Sequence, residues 1–308
     1  MNLSNAVKKF QNRCLAMNLS TKTMTTYYYN IKSFVSFLNT QTSIREIEDV
    51  KTEDVLLYLS HLRKENYSPE TIKDRYVTLN TLFNFLHDEQ YISNNPMVKV
   101  KKPKIPKIHA RTFTVEEINK ILSCFQLDSF VGYRNYTIMN ILFGTGIRKS
   151  ELLNLSLLDV NIEEHSLSVI GKGNKQRVIP LTKTLRKILV KYLKLREEQI
   201  KKSKNNSVAL IITNSGNRLT YGGLREVFKY VGNETNLSQI RLSPHTWRHT
   251  FAKMFLLNGG NLFALQKILG HEDISTTKMY VDYTNLEIET QMQQSSPVEN
   301  RRWSWYGN

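Results

Sequence analysis

Residues 243–284 read SPHTWRHTFAKMFLLNGGNLFALQKILGHEDISTTKMYVDYT. Ser243-Pro244 opens a helix, with serine at the N-cap and proline at the first helical position, where a missing N–H costs nothing. Gly259-Gly260 ends it, Asn261 caps LFALQKIL, and Gly270 closes that helix in turn. Ser275 or Asp273 caps a last helix, expected to carry Tyr280. Polar groups gather at the ends of these helices. His245 and Arg248 stand three apart just inside the first, and His271 follows Gly270. Such groups suit a phosphate, and the phenol of Tyr280 suits an attack on one. Taken singly, a histidine at a helix end caps or packs, and Tyr280 is one of 15 tyrosines.

Upstream, the only clear strand region is 157–181. Val160-Asn161-Ile162, Leu167–Ile170 and Arg177–Leu181 are short, β-branched and separated by turn residues. Lys172 sits between Gly171 and Gly173 in the second turn, so its ammonium has a mobile support; local pattern alone makes it an ordinary exposed hairpin lysine. A basic helix is expected from Thr184 to about Lys201, a short buried strand over Val208–Thr213, and a helix capped by Thr220. Before the strands, Thr114 and Glu117 form a capping box, and an apolar helix runs from Tyr133 to Phe143. It stops at Gly144-Thr145-Gly146; Arg148 follows, and Ser150 or Lys149 begins the next helix.

The first part of the chain is helical. Apolar residues recur at helical spacing over 3–17 (Leu3, Val7, Phe10, then Cys14 or Leu15) and over 20–38 (Tyr27, Ile31, Phe34, Val35, Leu38). Thr52 is read as the cap of a third helix buried through Val55, Leu56, Leu59 and Leu62, and Ser68-Pro69 opens a fourth. Then KVKKPKIPKIHAR runs from Lys99 to Arg111. Prolines stop any helix there, and Lys99, Lys101, Lys102, Lys104 and Lys107 have no acidic neighbours, as in a strap lying along phosphates. The expected organisation is a helical domain over 1–98, a basic linker over 99–111, a second domain over 112–285 and a polar tail over 286–308 that ends in WSWY. The fold class is mainly α with a small antiparallel sheet in the second domain.

Composition agrees with a polyanionic partner. Of 308 residues, 43 are Lys or Arg against 27 Asp or Glu, a net charge of +16 shared by both halves. Cys14 and Cys124 fit neither a metal spacing nor a disulfide framework, and no signal peptide or membrane span is evident, so a cytoplasmic, nucleoid-associated protein is expected.

Four segments in order, GTGIRKSELLNL (144–155), IGKGNKQRVIPL (170–181), HTWRHTFA (245–252) and LGHEDISTTKMY (269–280), resemble the tyrosine recombinases of the lambda-integrase class. Trp247 stands where leucine is common in that family. The resemblance implies a two-domain DNA clamp whose first domain is the SAM-like core-binding domain. It implies that Arg148 and Arg248 grip the scissile phosphate, Lys172 protonates the leaving 5′ oxygen, His245 and His271 complete the pocket, Tyr280 is the nucleophile, and Glu151 supports the pocket indirectly. Lys175 joins the linker lysines as an expected DNA contact. No metal, ATP or other cofactor is implied. The partners implied are double-stranded DNA with inverted-repeat core sites, three further copies of the chain in a tetramer on DNA, and accessory or directionality proteins. The tail is expected to dock on a neighbouring protomer. The biological role is expected to be integration or excision of a mobile element, with Xer-like dimer resolution as the alternative.

The chemistry asks for these residue types. Without a metal, two guanidiniums can balance the charge that builds on a phosphate's oxygens, because each stays ionised and offers a planar fork of donors. A neutral phenol is a weak nucleophile; neighbouring cations favour its phenolate, and a histidine can take its proton.

Overall fold

A computed structural model describes residues 1–105, 111–278, 280–281, 287–289, 292–293 and 296, and at Lys172 the backbone alone. Lys107 and most of the tail, Trp303, Trp305 and Tyr306 included, lie outside the described residues. The chain divides into two compact units, Met1–Ile108 and His109–Asn308.

The first unit contains α1 (Leu3–Ala16), α2 (Thr21–Gln41), α3 (Thr52–Lys64) and α4 (Pro69–Asp88). Its core follows the apolar periodicity, with Phe10, Ile31, Phe34, Leu38, Val55, Leu79, Phe83 and Leu86 buried. At the end of α1 the buried residue is Cys14; Leu15 is 62% exposed. Leu56 departs from the expected stripe at 47% exposed, and Tyr58 takes the inward position, its hydroxyl donating to Ser33. Thr52 is the first helical residue rather than the cap. Lys51 occupies the cap, its backbone N–H donating to Asp54, while the Thr52 hydroxyl donates to the Pro96 carbonyl. The unit reaches into the stretch read as linker, since Val100 is buried and its carbonyl accepts from Tyr76. Beyond it, Lys101, Lys102 and Lys104 are exposed.

The second unit is built on α6 (Phe130–Thr145), which is apolar on all sides and mostly buried, as a central helix must be. Around it lie α5 (Val115–Ser123), α8 (Lys183–Ser203), α9 (Tyr221–Thr235) and α10 (Pro244–Leu257). Trp247 of α10 is fully buried with its ring 4.8 Å from Phe113 and 5.6 Å from Phe143, which explains why this apolar position accepts so large a side chain. Three antiparallel strands form the sheet: β1 (Val160–Asn161), β2 (Ser166–Ile170) and β3 (Gln176–Pro180), with Leu167 opposite Ile179. In the segment 208–213 only Ala209–Ile212 are buried, Val208 being exposed, and the segment forms isolated bridges at Ala209 and Ile212, not the expected strand. Side chains of α8 take the carbonyls that a neighbouring strand would have used: Arg196 donates to Ala209 and Tyr192 to Leu210.

Three short elements complete the unit: α7 (Lys149–Asn154), α11 (Leu262–Leu269) and α12 (Ser275–Lys278). The caps fall where the sequence placed them at Thr114, Thr220, Ser243 and Asn261. Tyr280 is not on a helix. Its backbone N–H bonds to the Thr277 carbonyl in the turn that follows the four-residue α12.

Candidate active site

Four element ends converge. Arg148 is the N-cap of α7, Arg177 lies on β3, Arg248 is in the second turn of α10, and His271 follows α11. The glycine punctuation makes this convergence possible. Gly146 (φ 61°) closes α6 in the left-handed conformation, and a Cβ there would lie 2.3 Å from Phe251 and 2.9 Å from Leu269. Gly270 (φ 63°) closes α11, and a Cβ there would lie 3.1 Å from the Arg177 side chain. Both turns leave helix-terminal carbonyls pointing at guanidiniums.

Arg248 is buried. It donates to the carbonyls of Gly146 (2.7 Å) and Leu269 (2.8 Å) and to Nε2 of His271 (2.8 Å). Burial, with Arg148 nearby, lowers its pKa to about 10, so it remains cationic at neutral pH. A guanidinium can only donate, so His271 Nε2 carries a lone pair; Nδ1 therefore bears the hydrogen and donates to Thr277 Oγ1 at 2.9 Å. Burial and the cations Arg248 and Arg148 push His271 down to about 4, which keeps it in this neutral tautomer.

Arg148 donates to Glu151 (2.8 Å) and weakly to the Leu269 and Gly270 carbonyls (3.4 Å each). Glu151 also accepts two bonds from Arg177 (3.0 and 2.8 Å) and one from the Arg148 backbone N–H (2.7 Å). Burial alone would raise its pKa; the bonds from Arg177 and Arg148 outweigh that and bring it to about 2. Arg177 Nε donates to the Ile268 carbonyl at 2.7 Å, which ties β3 to the end of α11.

Tyr280 is 8% exposed and sits beside this cluster, close enough to Arg248 for the guanidinium to act on its phenol. Burial raises its pKa, while Arg248 and Arg148 pull it down. Its ring stacks on His271 at 6.3 Å and meets His249 edge-on at 5.3 Å. Three guanidiniums, one carboxylate and a neutral His271 leave the cluster at a net charge of +2. A phosphodiester carries −1 and the phosphorane formed by attack on it carries −2, so the arrangement matches the charge of the transition state better than that of the bound ester. Open grooves on two sides reach Arg148, one lined by Arg177, His271 and Thr276, the other by Asn154, Asp159 and Ser168.

Of the residues expected at the site, Arg148, Glu151, Arg248, His271 and Tyr280 are brought together. His245 lies in the first turn of α10 on an exposed face. The backbone of Lys172 forms the hairpin tip Lys172–Asn174, with Gly173 at φ 72°; its side chain lies outside the description. Lys175 is exposed and pairs with Glu272. Two residues escaped the sequence reading. Arg177 was legible as a register signal: it shares the inward-facing alternation of β3 with buried Ile179. His249 was legible as the residue one helical turn after His245. In the tail, Glu287 pairs at 2.7 Å with Lys253 of the same chain.

The Phage integrase family model matches residues 111–287, and the model of its N-terminal SAM-like domain matches residues 7–93. The chain is similar to tyrosine recombinase XerD of Halalkalibacterium halodurans, 32% identical over 267 residues that cover 86% of this chain and 88% of the relative. Its fold is similar to XerH site-specific recombinase in a post-cleavage complex with difH (TM-score 0.75, 21% identity, 93% of this chain and 83% of that one). It is similar also to the Tn1549 transposon integrase in complex with transposon right-end DNA (TM-score 0.74, 21% identity, 96% and 99%).

Proposed function

The chain belongs to the phage integrase family as a tyrosine recombinase of Xer type, an enzyme that cleaves and rejoins DNA, and we propose that it does so through Tyr280. One observation carries the assignment: the phenol is buried beside the arginine cluster, its ring stacked on the His271 that Arg248 holds. Arg148 and Arg248 hold the non-bridging oxygens, with Arg148 aimed by Glu151. Tyr280 Oη passes its proton to a histidine of the pocket and attacks phosphorus, the bond to the 5′ oxygen breaks, and Lys172 protonates that oxygen. The 3′-phosphotyrosyl bond conserves the energy of the ester, so a 5′ hydroxyl can reverse the step and exchange strands. His245 lines the approach to the phosphate. Lys101, Lys102, Lys104, Lys107 and Lys175 contact the duplex backbone, each contributing salt-dependent affinity.

The enzyme acts on inverted-repeat core sites as a tetramer, because exchange between two duplexes requires four cleavages. For its biological role, integration or excision of a mobile element is the first reading. The XerD names of the curated relatives support dimer resolution as a second reading. Incubation with a nicked suicide site should trap a covalent adduct that Tyr280→Phe cannot form; an adduct that persists in Tyr280→Phe refutes the nucleophile. Sequencing the trapped junctions from element-end DNA and from chromosomal DNA separates the two roles.

A further inference from the structure

We propose that Arg177 is a positioning residue for strand cleavage: by sharing Glu151 with Arg148 it keeps the Arg148 fork turned to the phosphate, and it fixes the end of α11, whose Leu269 carbonyl anchors Arg248. The inference rests on the reading in which Arg148 and Arg248 hold the non-bridging oxygens. Arg177 is poorly placed to grip a substrate itself. Its side chain is 13% exposed, against 32% for Arg148. Three of its five N–H donors are spent on the protein: two on Glu151 (3.0 and 2.8 Å) and one on the Ile268 carbonyl (2.7 Å).

Each oxygen of Glu151 divides its bonds between the two arginines. Oε1 accepts from the side chains of Arg148 (2.8 Å) and Arg177 (3.0 Å); Oε2 accepts from the Arg148 backbone N–H (2.7 Å) and from Arg177 (2.8 Å). Without Arg177, a carboxylate whose side chain is 3% exposed keeps a single guanidinium partner, and bidentate pairing with Arg148 is the geometry that best satisfies it. Such a pairing turns the Arg148 fork from the substrate toward the protein. Arg148 has little to resist that pull, since its contacts with the Leu269 and Gly270 carbonyls are 3.4 Å long. On the other side, the Nε bond to Ile268 falls one residue before the Leu269 carbonyl that Arg248 uses. Gly270 leaves room for it, because a Cβ there would lie 3.1 Å from the Arg177 side chain. One side chain of β3, the strand that follows the Lys172 hairpin, therefore sets both arginines.

The test uses the full chain and a nicked suicide duplex in two forms: the ordinary diester, and one with a methylphosphonate at the scissile position, which carries no charge for a guanidinium to balance. Single-turnover adduct formation is followed at saturating protein, and affinity for the duplex is measured separately. On the diester, Arg177→Met should slow the adduct about 10²-fold, the cost of a small misplacement at a reacting group, with affinity unchanged. Arg177→Lys keeps the charge and loses the fork, and should be slowed about tenfold, as for the loss of one charge-assisted bond. On the methylphosphonate, the deficits of both variants against the parent should shrink by about tenfold, as should that of Arg148→Ala. Deficits of equal size on the two duplexes overturn the proposal, because a general loss of structure is blind to the charge of the phosphate. So does an Arg177→Lys variant with the parent's rate, a result that decides the matter even where Arg177→Met does not fold. Arg148→Ala identifies the separate failure: if its own deficit is the same on both duplexes, Arg148 does not balance the phosphate charge, and the reading beneath the proposal is wrong.

Discussion

Glu151→Gln removes the one carboxylate from a cluster of three guanidiniums, and its effect can be sized from the geometry. Glu151 is 4% exposed and accepts from Arg177, Arg148 and the α7 N-cap. Its pKa falls from 4.5 to about 2 on folding. At about 1.4 kcal/mol for each pKa unit, the ionised form is stabilised by about 3 kcal/mol, similar to the roughly 3–5 kcal/mol lost when a buried pair is broken. The sign follows from the depressed value. The contribution is fully present above pH about 4.5 and disappears as pH falls through about 2. Glutamine keeps the shape, retains one acceptor and turns an N–H toward a guanidinium. Urea unfolding at pH 7, followed by tryptophan fluorescence (Trp247 lies in the core of the second unit), should show a loss of about 3 kcal/mol. Repeating the experiment from pH 6 to pH 2.5 should show the parent converging on the variant, because the variant has no carboxylate to protonate. Equal stability at pH 7, or a parent that does not converge on the variant in acid, would refute the account of Glu151 as the keystone of the cluster.

Arg248→Lys keeps the charge, but one ammonium cannot serve Gly146, Leu269 and His271 together; adduct formation should drop about 10²–10³-fold in single-turnover cleavage. Gly270→Ala must adopt φ near 63° and push on Arg177, costing about 1–2 kcal/mol in urea unfolding and slowing cleavage, with Gly270→Asn milder because asparagine tolerates the left-handed region.

The fold was legible where local chemistry decides it. Serine–proline openings, asparagine and threonine caps and closing glycines fixed the boundaries of α10 and α11 before any contact was known, because caps are satisfied within four residues. The four-segment resemblance placed Arg148, Glu151, Arg248, His271 and Tyr280, and the structure brings them together. What the sequence withheld depends on partners remote in the chain. Segment 208–213 has strand composition, but whether it forms a ladder depends on which groups reach its carbonyls, and Arg196 and Tyr192 reach them first. Arg177 and His249 were overlooked because an inward arginine in a strand and a second histidine in a helix gain meaning only when Glu151 and Tyr280 arrive from other elements. Tyr280 lies beyond α12 rather than on it, since a helix running through it would have carried the ring along a helix face instead of into the pocket.

The anchors of Arg248 have one more consequence. Its carbonyl partners are supplied by the ends of two different helices, Gly146 lying 102 residues before it and Leu269 21 residues after it. No shorter fragment contains both. A chain with α11 detached carries Tyr280 without the Leu269 carbonyl that helps hold Arg248 in place. Under the role proposed for Tyr280, the architecture works as an interlock: DNA is at risk of a break only from a molecule whose second unit has finished folding, the same molecule that is able to reseal it.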